Sequence, residues 1–180
     1  MITYKYSLPS FELHEAFRSF ADRPYSILLD NHIIAFDPIE TYEFKASSPD
    51  NTPFERLQSL LDKYTPENAY EHPYFTGGLA GLFSYDLGRS IENIPSKAKE
   101  ELNLHAIAVG RYLKVLMFDK DNNELSAFIT AKDKSTADKE FEKISLQSEK
   151  SEYKSSNLNW LGDKAKDTYK NAIQRTIDKL

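Results

Sequence analysis

The chain has 180 residues and a formal net charge of −5, from 23 Lys and Arg residues against 28 Asp and Glu residues. A hydrophobic content of 40% and an aromatic content of 13% can fill a sizeable core, which argues against a largely disordered chain. The absence of cysteine excludes disulfides, thiolate metal sites and a cysteine nucleophile, and the lack of a basic block argues against sequence-independent binding to nucleic acid.

The beginning of the chain predicts a helix followed by a β-hairpin. Residues Ser10–Phe20 carry apolar side chains at helical spacing, and Arg23-Pro24 ends that helix. Two apolar runs, Tyr25–Leu29 and Ile33–Phe36, then flank Asp30-Asn31-His32. Because Asp and Asn tolerate left-handed backbone conformations, this arrangement predicts a tight hairpin turn.

The next segment predicts a short strand and a well-delimited helix. Thr41–Lys45 is the strand candidate. In Thr52-Pro53-Phe54-Glu55, the threonine can cap a helix, the proline suits the first helical position and the glutamate completes a capping box. Helical spacing predicts that this helix buries Phe54, Leu57, Leu61 and Tyr64.

The remaining elements complete an α+β pattern. We expect a strand within Gly77–Asp86 and a hairpin of Ile107–Phe118 with Leu125–Thr130, turning at Asp119–Asn123. Helices are expected at Thr136–Leu146, with Phe141 and Ile144 inward, and at Tyr169–Leu180, with a polar linker at Gln147–Asn157 between them. Without regular βαβ spacing, this order favours mainly antiparallel sheets with flanking helices.

Few residues match the spacing of a known metal-binding or catalytic motif. Asp119, Asp121 and Asn123 match the first ligands of a calcium loop, but the sixth position is Glu124 instead of glycine and the twelfth is Thr130 instead of glutamate, so we interpret the segment as a hairpin turn. The four histidines, His14, His32, His72 and His105, lack metal-site spacing. We therefore predict no metal ligands and no catalytic residues in this chain.

The glycine-rich segment Thr76–Arg89 contains four of the six glycines in the chain. It matches neither a phosphate-binding Walker loop nor the dinucleotide fingerprint G-x-G-x-x-G. Glycines within a strand indicate close approach of another backbone, a bulge or a ligand, and the residues alone leave these alternatives open.

This segment carries a family resemblance. The string Gly77-Gly78-Leu79-Ala80-Gly81-Leu82-Phe83-Ser84-Tyr85-Asp86-Leu87-Gly88-Arg89, with Glu92 and Pro95 behind it, resembles the N-terminal region of aminodeoxychorismate synthase component I and its relative anthranilate synthase component I. Arg23–Asn31, Ile33–Pro38 and Ala108–Asp119 resemble strands of the same region, and the helix from Tyr169 resembles the one that opens the chorismate-binding domain. The similarity extends from about Pro24 to Leu180.

The resemblance implies a function and a domain division. The family replaces the 4-hydroxyl of chorismate with an amino group, on the route to 4-aminobenzoate and folate, using ammonia from a glutamine amidotransferase subunit. Its catalytic residues and Mg²⁺ ligands lie in a large C-terminal domain. We therefore expect residues 1–146 to form a non-catalytic N-terminal domain, 147–162 a linker, and 163–180 the first helix of a truncated chorismate-binding domain. Mg²⁺ is expected in the absent domain, with no cofactor in this chain.

Relatives often bind tryptophan beside the first hairpin, and in anthranilate synthase this pocket gives feedback inhibition. Asn31 takes the place of the family's polar contact, which makes it the ligand-binding candidate of this chain. The loop that follows in the relatives is missing here, because Ile33–Phe36 begins almost at once. We expect tryptophan to bind weakly or not at all, with Asn31 acting mainly as a turn residue.

Two other interpretations stay open. The chain resembles anthranilate synthase as well, or an isochorismate-type relative, and it also fits a stand-alone ligand-binding or interaction module. In the stand-alone case, the face that would pack on a catalytic domain is exposed and is expected to form a homodimer or bind a partner. The sequence shows no secretory leader and no apolar run of membrane-spanning length, so we expect a cytoplasmic protein that binds neither membrane nor nucleic acid.

Overall fold

A computed structural model of the chain describes residues 1–9, 11–45, 52–68, 75–95, 104–146 and 163–178. The chain divides into two compact units, Met1–Ser148 and Glu149–Leu180. The predicted linker, 147–162, lies outside the described residues. The second unit contains one described helix, α4 (Asp163–Ile177), which agrees with the predicted C-terminal helix but begins earlier. Its assignment to a chorismate-binding domain stays a prediction.

The first unit contains a five-stranded antiparallel sheet with the order β1-β8-β7-β3-β2. Its strands are β1 (Ile2–Leu8), β2 (Ile27–Leu29), β3 (Ile33–Ala35), β7 (Lys114–Asp119) and β8 (Glu124–Ala131). The hairpin predicted around Asn31 is confirmed, since Leu29 pairs with Ile33. Strand β1 was not predicted; it pairs with β8 from Ile2↔Ala131 to Leu8↔Leu125.

A second, three-stranded antiparallel sheet has the order β4-β6-β5. Its strands are β4 (Glu40–Phe44), β5 (Gly78–Phe83) and β6 (Ile107–Tyr112). The prediction of one strand over Ile107–Phe118 is therefore wrong: the chain changes sheets at Leu113, between β6 and β7. The turn at Asp119–Asn123 is confirmed, because β7 and β8 pair on either side of it.

Three helices of the first unit differ from prediction in detail. They are α1 (Leu13–Arg18), α2 (Pro53–Asp62) and α3 (Lys134–Glu142), so α1 and α3 are shorter than predicted. Thr52 stands at the N-cap of α2, but its side chain makes no capping hydrogen bond, which corrects the predicted capping box. The buried face of α2 consists of Pro53, Leu57 and Leu60, whereas Phe54 and Leu61 are exposed. The tertiary contacts select a face slightly rotated from the one that spacing suggested.

Both faces of the five-stranded sheet are buried, because neighbouring residues along each strand point to opposite sides. On one side, Ile34 and Leu116 pack with Phe20 and other residues of the α1 segment, and the Phe20 and Phe36 rings stack with centroids 4.0 Å apart. On the other side, Val115 packs with Tyr112 of β6. Helix α2 covers Ile107 and Val109 of the second sheet through Leu57. The α+β class with mainly antiparallel sheets is confirmed.

Candidate functional site

The hairpin turn places the predicted ligand residue at an exposed tip. Asp30 and Asn31 have φ angles of 48° and 50°, and the backbone N–H of His32 donates to the Leu29 carbonyl over 3.0 Å. The left-handed conformation is one that Asp and Asn adopt more readily than most residues. Asn31 therefore has a structural role in the turn, and its role as a ligand contact stays a prediction.

A groove of about 390 Å³ lies beside this turn. Asp30, His32 and Ile33 line it from the hairpin, and the end of β7 with the following turn lines it from the other side; Asn31 is not among the lining residues. Asp30, Asp119 and Asp121 make the groove locally acidic, with Lys120 as the lining amine. The turn is tight, as expected. The concave surface beside it is nevertheless larger than the absence of the family's loop suggested.

The acidic turn after β7 is organised by its own side chains. The Asp119 carboxylate accepts hydrogen bonds from the backbone N–H groups of Asp121 (3.0 Å) and Asn122 (3.2 Å) and from the Asn122 side-chain amide (2.9 Å). The bonds from Asn122 are the main cause that lowers the pKa of Asp119. Among the described residues, which include every histidine except His72, no cluster of three or more metal-ligating side chains occurs.

The glycine-rich segment forms β5 and packs against β6 at close range. A Cβ at position 81 would lie 2.1 Å from the Ala108 carbonyl oxygen, and a Cβ at position 77 would lie 2.9 Å from that of Tyr112. Only glycine permits these approaches. Of the three alternatives left open by the sequence, close approach of another backbone applies to Gly77 and Gly81.

Tyr112, which pairs with Gly78 of this segment, connects β6 to the loop before β2. Its hydroxyl donates to the Tyr25 carbonyl over 2.6 Å, and its side chain is completely buried. Burial raises the pKa of Tyr112 to about 12, so the phenol is neutral at physiological pH and holds β6 against the loop before β2.

Three further carboxylates with lowered pKa values support helix α3. Asp133 accepts a hydrogen bond from the Thr136 backbone N–H over 2.7 Å at the N-cap, and Asp138 pairs with Lys134. Glu140 binds Lys143 and Lys114, whose ammonium groups lower the pKa of that carboxyl. These groups have structural partners within the described part of the chain. The absence of catalytic residues from this chain stays a prediction.

Exposed apolar side chains concentrate in the second half of the glycine-rich segment and in the residues that follow it. We define the apolar patch as six residues from the end of β5, the 3₁₀ helix Tyr85–Ser90, the turn after it and the approach to β6; each has between 46% and 101% of its area exposed: Leu82, Phe83, Tyr85, Ile91, Ile94 and Leu104. The backbone N–H of Ser84 donates to the Ala106 carbonyl over 2.9 Å, which ties the end of β5 to the approach to β6. Exposed apolar residues concentrated in one stretch of the chain are typical of an interaction surface.

Sequence reasoning missed one functional candidate, Arg111 near the end of β6. The available indication was a charged residue inside the apolar run Ile107–Phe118. Its side chain is buried and lines a second cavity next to Gly77 and Gly78.

Comparison with protein-family models identifies the family of the chain. The family model described as "chorismate binding enzyme" matches residues 6–180, and the chain belongs to this family.

Relatives carry the names that the sequence resemblance suggested. Aminodeoxychorismate synthase component 1 of Escherichia coli (strain K12) is 32% identical over 120 residues, covering 59% of this chain and 26% of that protein. The protein of the same name from Klebsiella aerogenes is 44% identical over 59 residues, covering 32% and 13%. Anthranilate synthase component 1 of Acetivibrio thermocellus is 33% identical over 55 residues, covering 31% and 11%. The resemblance to this family is confirmed.

The matched regions span about a quarter or less of the length of these relatives. None of the helices in the described ranges has both the length and the apolar content that crossing a bilayer requires.

Proposed function

We propose that the chain is the N-terminal, non-catalytic part of a chorismate-aminating enzyme of the aminodeoxychorismate synthase component I type, and that it braces the catalytic chorismate-binding domain. The observation that carries the proposal is the apolar patch, which includes Leu82, Phe83 and Tyr85 of the segment bearing the family motif. Burial of apolar surface stabilises an interface by about 25 cal/mol per Å². A surface of this composition fits a domain interface better than contact with water.

Helix α4 supports the same proposal from the second unit. Tyr169, Ile173 and Ile177 recur at intervals of four residues, and each is more than 40% exposed. An isolated helix of 15 residues is marginally stable in water and gains most of its stability from packing an apolar stripe. The catalytic domain would supply that packing surface.

The proposed reaction replaces the 4-hydroxyl of chorismate with an amino group, using ammonia delivered by a glutamine amidotransferase subunit. The catalytic acid–base groups and Mg²⁺ would belong to the catalytic domain, where Mg²⁺ would bind the chorismate carboxylates. The match to anthranilate synthase component 1 supports a second candidate, in which the same architecture forms anthranilate. Assaying the full gene product for aminodeoxychorismate and for anthranilate distinguishes the two.

Two measurements test the bracing role. The gene sequence beyond codon 180 must encode chorismate-binding sequence, and its absence would refute the proposal. In the full gene product, we expect Phe83→Ser to lower chorismate amination and to increase proteolysis between the domains, because it places a hydroxyl in the interface. The matched control is Phe54→Ser on α2, where a similarly exposed ring lies outside the apolar patch. Equal effects of the two variants would contradict the proposed interface.

The stand-alone interaction module would use the same apolar patch differently. In that case the 180-residue chain is expected to dimerise or capture a partner through the patch. Light scattering that shows a monomer at high concentration would argue against a homodimer.

A further inference from the structure

Arg111 is a buried cation in the second sheet. Only 3% of the residue is exposed, although it lies one position from the end of β6. Arginine is almost never fully buried unless it is paired, because a guanidinium loses its hydration on burial. Burial lowers the pKa of the Arg111 guanidinium from its ordinary value, but arginine stays protonated in proteins.

The described residues satisfy this cation only in part. Arg111 Nη2 donates to the Tyr64 carbonyl over 2.6 Å, and the guanidinium lies 5.5 Å from the centroid of the Tyr64 ring. Arg111 Nε is buried and has no hydrogen-bond partner among the residues that the structure describes. None of the ion pairs in the described part of the chain includes Arg111. The contacts with Tyr64 stabilise one edge of the guanidinium, and within the described ranges of the chain no carboxylate pairs with its charge.

A half-open cavity of about 220 Å³ lies against this side chain. The volume corresponds to about seven water molecules at ~30 Å³ each, which is the size of a small organic molecule. The polar residues that line the cavity include Arg111, Thr76 and Thr130, and the aromatic residues are Phe75 and Tyr112. A cavity lined by one cation, two threonines and two aromatic residues is suited to an anionic ligand that carries a planar apolar group.

The backbone next to the guanidinium provides the space. A Cβ at position 78 would lie 3.5 Å from Arg111 Nη1 and 3.2 Å from Cε2 of Phe75. Gly78 therefore keeps free a volume bordered by the cation and by an aromatic edge. A planar ligand can approach both groups there, and a side chain at position 78 would occupy that volume.

We propose that this cavity binds a small aromatic monocarboxylate, whose carboxylate pairs with the Arg111 guanidinium and whose ring packs against Phe75. Guanidinium and carboxylate match in planar, bidentate geometry, and the pair would neutralise the buried charge. The site is independent of the apolar patch and of the groove beside the hairpin turn, with which it shares no lining residue. It therefore stands or fails separately from the bracing function.

Calorimetric titration of the 180-residue chain with benzoate tests the site. We expect saturable binding at one site with a dissociation constant of about 1 mM or below, an affinity well within the bound for a ligand of this size. Arg111→Gln should weaken binding roughly ten- to hundredfold, the loss expected for hydrogen bonds to a charged group. The control Arg56→Gln removes an exposed arginine of α2 that does not line the cavity, and it should leave binding unchanged.

Related ligands separate charge from shape. Benzamide, which has the same ring without the charge, should bind at least tenfold more weakly than benzoate, and acetate, which lacks the ring, should also bind more weakly. Arg111→Lys keeps the charge but loses the planar guanidinium, so it should also weaken benzoate binding. This variant tests the site if Arg111→Gln does not fold. Absence of benzoate binding, equal binding to wild type and to the Arg111 variant that folds, or tighter binding of inorganic phosphate than of benzoate would each overturn the proposal.

Discussion

Replacing Gly81 by alanine tests the packing of β5 on β6 most directly. Gly81 has a φ of 156° and lies opposite Val109 in the strand pair. An alanine Cβ would lie 2.1 Å from the Ala108 carbonyl oxygen and 2.7 Å from the Val109 Cα. Because both are backbone atoms, no side-chain rotation relieves the contact, and β5 must move away from β6.

The cost follows from two contributions. A residue held in a glycine-only backbone region costs about 1–3 kcal/mol, and forcing an extra methyl group into a packed site costs about 1–3 kcal/mol. We expect a loss of about 3 kcal/mol or more in the free energy of unfolding of the first unit. For a domain of about 150 residues, 3 kcal/mol corresponds to a decrease of about 6–12 °C in the midpoint of thermal unfolding.

Gly88→Ala is the matched control. A Cβ at position 88 would meet only the Ile94 Cδ1 atom, at 3.9 Å, and its φ is not positive, so this variant should change stability by no more than about 1 kcal/mol. Far-UV circular dichroism during urea unfolding measures both variants. The single tryptophan, Trp160, lies outside the described residues and is not the probe of choice. A loss below about 1 kcal/mol for Gly81→Ala would refute the packing argument.

Three further outcomes are expected. Asp133→Ala should lower the unfolding midpoint at neutral pH. The difference between the midpoints of wild type and variant should narrow as the pH falls below 3.8, because the Thr136 hydrogen bond lowers the pKa of Asp133 and the stabilisation is lost when the carboxylate is protonated. A midpoint difference that is unchanged in acid would contradict this. Calorimetry should show no micromolar tryptophan binding, since the groove is acidic and Asn31 does not line it, whereas a micromolar constant abolished by Asn31→Ala would prove the expectation wrong. The 180-residue chain with ammonia and Mg²⁺ should not convert chorismate; turnover abolished by a substitution within residues 1–180 would overturn this.

Local sequence patterns predicted the elements whose chemistry is local. The turn at Asp30 and Asn31 and the proline at the start of α2 depend on the conformational preferences of those residues, and both are present in the structure. The glycine string indicated close approach of another backbone, a bulge or a ligand, and the structure shows backbone approach at Gly77 and Gly81. Because these properties depend only on a few neighbouring residues, they can be predicted from the local sequence.

The errors came from non-local packing. The apolar run Ile107–Phe118 looks like one strand because both β6 and β7 are buried, and nothing in its periodicity shows that the chain changes sheets at Leu113. Helix α2 buries Leu60 instead of Leu61 because its orientation on the second sheet selects the face. Arg111 escaped notice because its burial depends on Tyr64 and on β5, which are distant in sequence.

The pairing of β1 with β8 determines when the first unit can fold during synthesis. Ile2 pairs with Ala131, so the opening strand lacks its sheet neighbour until nearly 130 further residues have been translated, which takes about 6–26 s at ~5–20 residues per second. The other edge of β1 is held by Asn68, whose side chain bonds the Thr3 backbone N–H and carbonyl over 2.8 and 2.9 Å. During this interval the nascent chain exposes an unpaired strand, a state in which chaperones protect polypeptides from association. In ribosome-bound chains that end before Glu124, β1 would therefore lack its sheet partner, even if the local helices have already formed.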